Sequence, residues 1–508
     1  MAESEKPNAS GVDNIDFNGH ESPINGSAKL DPDNPPVREF DSVAEKKLRR
    51  KTDLYIVPLV ALLFLFCFID RSNLGNARIA DLEADLGMDP LSYDFNIVLS
   101  MFYVSYALFE VPSTMLCKIM GPGWYLPIAT IFFGIVTICT SFVQTMGQLI
   151  AVRFLLGIFE AGMLPGIAYY LSRWYRRSEL SLRLGMYMVT TPLAGAFGGL
   201  LASGILSMDS VGSLRGWRMI FVVEGIITTM LGFIALAFLT NSPLTARWLS
   251  DEEKELSIER VKSERVGQEE VIDKMSKTKL KRGVMNPITL STAFIFHLNN
   301  ITALGISFFL PTIIRAIYPS ETRVQQQLRT VPPYIFGAGT LLIASYLASR
   351  FNTRQIFLLV SGPLVMVGYA MLLSLRDPSA RYGAIFLTVS TVFFPGAMCN
   401  SQVSANSVSD TARNIAIATN TVAGYFGGLI ATWTYFGSDP MFPVGNGLNL
   451  SVSAVISITA GTFHWWMIKD NKKRDARTPA EREELLAGLS RKDVAELEYK
   501  HPDFRWRP

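Results

Sequence analysis

The sequence predicts an all-α membrane protein of about twelve transmembrane helices arranged in two six-helix halves. The chain has 508 residues, of which 49% are hydrophobic and 18% charged, and its mean hydropathy is +0.25. Soluble chains carry about 25% charged residues, so the charge content is low for a soluble fold. Long apolar runs recur, and a bilayer core about 30 Å thick needs about 20 apolar residues per helix. Lipid satisfies no backbone hydrogen bonds, which leaves helices or closed barrels as spanning structures.

Twelve apolar runs are long enough to be spans. We predict them at residues 54–76, 94–118, 125–145, 148–171, 181–206, 218–240, 288–315, 331–348, 356–375, 382–406, 412–436 and 448–468. Prolines and an asparagine interrupt the eighth and tenth runs, so eleven spans is the alternative count. These interruptions are Pro332, Pro333, Pro395 and Asn400.

The polar segments divide the chain into five regions. The predicted regions are a disordered cytoplasmic N-terminal tail at 1–51, a first six-helix half at 52–240, a cytoplasmic linker at 241–287, a second half at 288–470 and a cytoplasmic C-terminal tail at 471–508. The N-terminal tail is acidic, rich in Asn, Ser and Pro, and nearly free of aromatic residues, so it cannot bury enough surface to fold. In the linker, Ser250 followed by Glu253 predicts a capping box that opens an amphipathic helix.

Charge placement sets the predicted orientation. Cytoplasmic loops are enriched in Lys and Arg, and five basic residues precede the first span, namely Lys46, Lys47, Arg49, Arg50 and Lys51. The first loop on the other side is acidic, with Asp81, Glu83, Asp85 and Asp89. We therefore expect both termini in the cytoplasm.

Four charged residues fall inside apolar runs, where a charge costs roughly 2.5–3.5 kcal/mol on insertion scales. Asp70 and Arg71 lie in the outer half of the first span, and Arg153 and Glu160 lie in the fourth span. Arg153 and Glu160 are two turns apart, so they share one helix face about 10 Å apart along the axis. We expect two acids and two arginines to converge at similar depth in a central cavity. The alternative is that they only neutralise one another as buried pairs.

The residue types indicate a chemistry for this cluster. A guanidinium is a permanently charged planar fork that suits a carboxylate. A buried Asp or Glu takes up a proton more readily than an exposed one. Anion binding at Arg71 and protonation of Asp70 or Glu160 would therefore favour each other.

Neutral polar residues also lie within predicted spans of the second half. His297 and Asn300 are in the seventh span, and Asn400 is in the tenth. They suit the polar part of a substrate, although such residues also join helices by hydrogen bonds worth about 0.6 kcal/mol. In the sixth span, Glu224 is interpreted either as part of the site or as a partner of Arg218.

Several classes of protein are not favoured. The net charge of +3 is too small to suggest a nucleic-acid partner. The four cysteines lack metal-ligand spacing, and the chain has no HExxH, GxSxG or Walker pattern. We therefore predict no metal, no cofactor and no enzymatic activity, and we expect a monomer in the bilayer.

Several motifs carry a resemblance to a known family. The runs DRSNLGNARIADLEADLGM, FYVSYALFEVPSTML, RFLLGIFEAGMLPGIAYYLSRWY and GWRMIFVVEG resemble the fungal allantoate and nicotinate permease branch of the major facilitator superfamily, the anion:cation symporters. The similarity covers nearly all of 52–470. In that superfamily each half is a pair of inverted three-helix repeats around a midplane site.

The resemblance implies proton symport of a carboxylate at the plasma membrane. It assigns Asp70 and Glu160 as proton carriers, Arg71 as the anion anchor and Arg153 as a residue that tunes Glu160. Tyr106 matches a substrate-contacting tyrosine of bacterial relatives, whereas Phe68 replaces a second aromatic residue of theirs and lacks a hydroxyl group.

The predicted function is therefore a proton-coupled symporter that imports a small organic anion such as nicotinate or allantoate. Two alternatives stay open from the sequence. One is an exporter of a secondary metabolite or drug, because the direction of transport is not encoded in the spans. The other is a nutrient receptor that binds its ligand without transporting it.

Overall fold

The computed structural model describes residues 41–89, 92–175, 179, 183, 186–208, 216–263, 277–351, 353–435, 441–489, 494 and 496–508. These residues form helices and connecting turns, and no strand occurs among them. The predicted N-terminal tail up to residue 40, Arg176 and Arg177, Asp209, and the middle of the linker at 264–276 lie outside the described residues.

The helices of the first half follow the predicted apolar runs. They are α1 at Ser42–Ile79, α2 at Leu82–Asp85, α3 at Asp94–Met120, α4 at Pro122–Thr140, α5 at Met146–Glu160, α6 at Met163–Ser172, α7 at Thr190–Leu206 and α8 at Trp217–Phe238. The linker contributes two helices, α9 at Asp251–Ser263 and α10 at Lys277–Val284.

The second half repeats this pattern of long apolar helices. It contains α11 at Pro287–Ile317, α12 at Arg323–Leu328, α13 at Val331–Phe351, α14 at Gln355–Ser374, α15 at Pro378–Val392, α16 at Phe394–Ala405, α17 at Asp410–Ala431, α18 at Pro443–Asp475 and α19 at Pro479–Leu486. Short 3₁₀ turns occur at Pro243–Thr245 and Glu498–Lys500.

Within the described residues, a helix lies at each of the twelve predicted positions. Ten helical segments of the described chain are long and apolar enough to cross a bilayer. An eleventh, Ile415–Ala431, is shorter. The helix at the twelfth predicted position, α18, is 33 residues long but mixes Asn, Ser and Thr with its apolar residues, which lowers its hydropathy.

Two predicted spans are each broken into two helices. The fourth is divided after Glu160, because Pro165 cannot donate a hydrogen bond to the carbonyl of Ala161 and its ring crowds that carbonyl. The tenth is divided at Phe393, two residues before Pro395, as expected for the same reason. Both segments remain long enough in total to cross a membrane.

The two ends of the bundle differ in what they carry. The end of the bundle that contains the start of α1 and the linker is called the linker face. The opposite end, where α1 finishes, is called the far face. At the far face the two halves are joined directly. Arg323 donates to Asp81 at 2.5 Å, and Trp433 Nε1 donates to Ser100 Oγ at 2.8 Å.

At the linker face, α9 is attached to the first half. The predicted capping box is confirmed, because the Ser250 and Glu253 side chains bond to each other's backbone N–H groups. Partial burial opposes ionisation of Glu253. Hydrogen bonds from the Lys51 ammonium group, at 2.6 Å, and from the Ser250 backbone outweigh this and lower the pKa of Glu253. Farther along α9, the fully buried Arg260 contacts Glu179 at 3.2 Å.

The C-terminal residues pack against the second half. Trp506 is 3% exposed, and its indole N–H donates to Asp470 at 2.7 Å. The Arg507 carbonyl accepts hydrogen bonds from Gln402 and Asn406 at 2.8 and 3.0 Å. The linker helix and the C-terminus are thus each anchored to a different half.

Candidate functional site

The four predicted intramembrane charges converge. The exposed fractions are 3% for Asp70, 9% for Arg71, 3% for Arg153 and 0% for Glu160. α1 supplies the first two residues, and the last two turns of α5 supply the others. The described residues therefore confirm that two acids and two arginines meet within the first half.

The charges are paired across the two helices. Arg71 Nε donates to Glu160 Oε2 at 2.8 Å. Arg153 lies 3.8 Å from Asp70 Oδ2, which is an ion pair but too long for a hydrogen bond. Thr137 of α4 donates to the other Asp70 oxygen at 2.9 Å. The sequence analysis assigned Arg153 to tune Glu160, about 10 Å away on the same helix face. In the structure, the acid that pairs with Arg153 is Asp70.

Arg71 holds Glu160 with only one edge of its guanidinium group. Among the described residues its one hydrogen bond uses Nε, which leaves the two terminal nitrogens unbonded. Three aromatic rings surround the group, with ring centroids 4.9 Å away for Phe68, 5.0 Å for Phe102 and 5.1 Å for Tyr106. This environment holds the guanidinium plane in place and keeps its terminal nitrogens available for a bidentate partner.

Tyr106 lies at the site, as predicted, and connects it to the second half. Its ring packs against Tyr425 of α17 with centroids 4.3 Å apart. Tyr425 was not predicted from the sequence, because a single tyrosine in an apolar run is usually a packing residue. Tyr103, on the same helix as Tyr106, has a buried hydroxyl group without a hydrogen-bond partner among the described residues.

A small cavity adjoins Arg71 between the two halves. Its walls come from α1, α7, α11 and α13, and include Arg71, Ser72, Ser307 and Tyr334. The space admits roughly one water molecule. A substrate the size of an aromatic acid therefore requires the halves to move apart.

Several polar atoms of the cluster have no hydrogen-bond partner within the described part of the chain. They are Asp70 Oδ2, Glu160 Oε1, and Nε and Nη2 of Arg153. Buried polar atoms are normally bonded. These atoms can therefore bind protons, water or a ligand.

The predicted polar residues of the second half have partners of their own. His297 Nδ1 is 2.9 Å from the Ala423 carbonyl oxygen, and Asn300 donates to the Phe296 carbonyl at 2.8 Å. Asn400 accepts from Asn420 at 3.2 Å. The His297 and Asn400 contacts join α17 to α11 and to α16, whereas the Asn300 contact lies within α11. No hydrogen bond or ion pair of the described residues links these side chains to the four charges. Their role in substrate binding remains a prediction.

Two further acids lie near the cluster. Glu224 of α8 is 1% exposed and interacts electrostatically with Asp70 and Arg153. Arg218, its suggested partner, instead donates to the carbonyls of Ser141 and Val143 at 2.8 and 2.7 Å.

Glu110 of α3 is 8% exposed and interacts electrostatically with Tyr106 and Tyr425. Its only signal in the sequence is an acid within an apolar run, FYVSYALFEVPSTML. Sequence reasoning assigned no role to it.

A bundle of long apolar helices in two halves, with buried charges and a cavity between the halves, defines a multi-pass membrane transporter. The family model described as Major Facilitator Superfamily matches residues 60–432. The chain therefore belongs to the major facilitator superfamily.

Curated fungal transporters are similar over most of the chain. An uncharacterized transporter of Schizosaccharomyces pombe is 34% identical, over 76% of this chain and 76% of that protein. The high-affinity nicotinic acid transporter of Saccharomyces cerevisiae is 31% identical, over 84% of this chain and 79% of that protein. The MFS-type transporter cnsO of Penicillium expansum is 29% identical, over 91% and 88%.

Solved structures share the fold. A proton:xylose symporter aligns with a TM-score of 0.62 at 14% identity, covering 82% of this chain and 96% of that chain. A bacterial homologue of the human lysosomal transporter Spinster, in an inward-facing conformation, aligns with a TM-score of 0.60 at 14% identity, covering 81% and 96%.

Proposed function

We propose that this transporter is a symporter that imports a small organic carboxylate, such as nicotinate or allantoate, together with protons. The proposal is carried by one contact, the Arg71–Glu160 pair at 2.8 Å beside the cavity between the halves. The similarity to a nicotinic acid transporter supports a carboxylate substrate. We further propose that the chain resides in the plasma membrane with both termini in the cytoplasm.

The pair provides a route for coupling. The terminal N–H groups of Arg71 donate to both oxygens of a substrate carboxylate, as guanidinium groups do. The site then holds a second anion beside Glu160, and like charges at short range disfavour each other. Protonation of Glu160 removes that repulsion and weakens its hold on Arg71. Substrate binding and proton binding therefore stabilise each other.

Proton stoichiometry determines the driving force. One proton with one monovalent anion moves no net charge, so each pH unit contributes about 1.36 kcal/mol. Two protons, one on Glu160 and one on Asp70, move one net positive charge. A membrane potential of 100 mV then adds about 2.3 kcal/mol.

Uptake of a labelled carboxylate panel tests the proposal. Cells expressing the wild type and Arg71→Ala take up nicotinate, allantoate and other monocarboxylates at external pH 5 and pH 7. We expect the wild type to accumulate at least one of them more strongly at pH 5. We expect Arg71→Ala to lose about tenfold or more, since loss of a charge-assisted hydrogen bond costs about 1.5–3 kcal/mol.

Arg350→Ala is the matched control, because Arg350 is exposed at the end of α13. It should transport like the wild type at equal expression. Unchanged uptake in Arg71→Ala would remove Arg71 as the anion anchor. Accumulation that is insensitive to external pH would remove proton coupling.

A further inference from the structure

Glu224 is a buried acid that the proposed cycle does not use. It lies two turns into α8, and its side chain is 1% exposed. Both carboxyl oxygens are buried, and neither accepts a hydrogen bond from any described residue. An ionised carboxylate in such a place costs several kcal/mol without a partner. A protonated, neutral side chain avoids this cost.

The cluster around Glu224 contains three acids and two arginines. Glu160 already occupies Arg71, at 2.8 Å. Arg153 is the remaining cation, and Asp70 lies 3.8 Å from it. Arg153 also keeps Nε and Nη2 free of hydrogen bonds to the described residues. Asp70, Glu160 and Glu224 all interact electrostatically with Arg153. Because Glu160 is bonded to Arg71, Asp70 and Glu224 are the two acids that depend on Arg153 alone.

We propose that Asp70 and Glu224 form a carboxyl pair that competes for Arg153 and shares one proton. The inference rests on the proposed function and adds Glu224 to its proton-binding groups. In the present arrangement Arg153 pairs with ionised Asp70, and Glu224 holds the proton. When Glu224 releases it, Arg153 pairs with Glu224, and Asp70 takes up one proton. The number of bound protons and the net charge are the same in both arrangements.

The surroundings contain few other ionisable groups that could disturb this exchange. α1 contributes Cys67 and Arg71 in addition to Asp70, and Arg71 is held by Glu160 of α5. α4 contributes the Thr137 hydroxyl group, and its ionisable residues are Tyr125 and Cys139. The sequence of α7, which also packs on α8, has no ionisable residue.

The pH profile of transport tests the pair. Wild-type protein and Glu224→Gln are reconstituted in liposomes, and uptake of labelled nicotinate is measured from pH 4.5 to pH 7.5. In Glu224→Gln, Arg153 has no second acid to hold, so Asp70 stays ionised until lower pH. We expect the pH of half-maximal uptake to fall by roughly one unit. An unchanged midpoint would mean that Glu224 has a structural role only.

Two further variants keep the test decisive. Glu224→Asp retains an acid and should keep a midpoint close to that of the wild type. In the double variant Asp70→Asn, Glu160→Gln, Glu224 is the remaining acid of the cluster and becomes the partner of Arg153, so residual uptake should remain pH-dependent even if Glu224→Gln misfolds. Loss of all pH dependence in this double variant would overturn the shared-proton pair. Glu252→Gln, at an exposed position of α9, is the matched control.

Infrared spectroscopy gives a readout that does not require transport. At pH 7 the purified wild type should show absorption from a protonated carboxyl group, and Glu224→Gln should lose it while Glu252→Gln retains it. Persistence of the full absorption in Glu224→Gln would refute a proton on Glu224. If the absorption behaves as expected but no carboxylate is taken up by the wild type, the proposed function fails and the proton on Glu224 stands.

Discussion

Arg71 is the proposed anchor of the substrate carboxylate. It is 9% exposed and surrounded by the rings of Phe68, Phe102 and Tyr106, and only one of its N–H groups donates to Glu160. A guanidinium group desolvated by aromatic faces gains from a second anion more than one in water does. The same arrangement makes Glu160 sensitive to that anion. In the proposed cycle, substrate recognition and proton coupling therefore depend on the same hydrogen bond.

Glu160→Gln separates these two roles. The amide oxygen still accepts from Arg71, but the side chain carries no negative charge and takes up no proton. We expect nicotinate exchange at equal pH on both sides to persist, while the ratio of uptake at pH 5 to uptake at pH 7 falls below that of the wild type. Proteoliposome counterflow and gradient-driven uptake measure the two activities. Retention of the wild-type ratio would exclude Glu160 as a proton carrier.

The sequence identified the charged residues of the site but not their partners. Asp70, Arg71, Arg153 and Glu160 were predictable because each interrupts an apolar run, where a charge is costly. Their crosswise pairing depends on how α1 and α5 are rotated, and a single sequence does not encode that directly. Tyr425 belongs to the other half of the chain, and its contact with Tyr106 exists only once the halves pack together.

At the scale of elements, two features of the fourth span position the site. Pro165 ends α5 at Glu160, so this acid is the last helical residue before the chain turns into α6. One turn earlier, Gly157 lies directly against α3, facing Ser105 and the carbonyl of Phe102. Close approach at a small residue is the usual way that membrane helices pack tightly. This close approach brings α5 next to Phe102, one of the three rings around Arg71.

Gly157→Ala should disturb this contact. The added methyl group would lie 2.5 Å from the Phe102 carbonyl oxygen and would collide with Ser105 Oγ. Overpacking of this kind costs about 1–3 kcal/mol. We expect a lower unfolding temperature of the purified protein, measured by a thermal shift in detergent, and weaker nicotinate uptake.

Gly204→Ala is the matched control for this change, because nothing lies within 4 Å of an added Cβ there. Alanine is the better helix former, by roughly 1 kcal/mol. Its unfolding temperature should equal or exceed that of the wild type. A wild-type value for Gly157→Ala as well would show that α3 and α5 tolerate a wider separation.

Helix boundaries show where a hydropathy pattern stops being informative. Long apolar runs such as 218–240 and 356–375 predicted α8 and α14 to within about two residues at each end. The pattern is weaker at α18, predicted as the span 448–468, where polar residues face other helices and lower the average hydropathy. Asn446 and Asn449 of that helix are buried and bonded within the protein. Hydropathy measures composition, whereas burial by neighbouring helices is decided by the fold.

At the scale of the whole molecule, the linker helix and the C-terminal residues are attached to different halves, which leaves the halves able to move as separate units. α9 of the linker is attached to the first half through Arg260, and the C-terminal residues are attached to the second half through Trp506. Contacts at the far face join the halves directly, including the Asp81–Arg323 ion pair. Rocking of one half against the other would break these contacts and open the cavity beside Arg71.

At Gly75 the two halves pack too closely to leave space for a side chain. This glycine lies on α1, and an added Cβ would collide with the backbone carbonyl oxygen of Phe308 in α11. A backbone atom cannot rotate away, so Gly75→Ala should disfavour the state in which the far face is closed. A penalty of about 1.4 kcal/mol corresponds to a tenfold change in the ratio of the two states.

Labelling of a cavity cysteine measures this shift. Ser307 lines the cavity, and Cys139 is the one exposed native cysteine of the four. On a Ser307→Cys, Cys139→Ser background, a membrane-impermeant maleimide applied to intact cells should react about tenfold faster when Gly75→Ala is present. Gly339→Ala, with nothing within 4 Å of its added Cβ, should leave the rate unchanged. Equal rates for Gly75→Ala and the background would mean that closure of the far face does not depend on this contact.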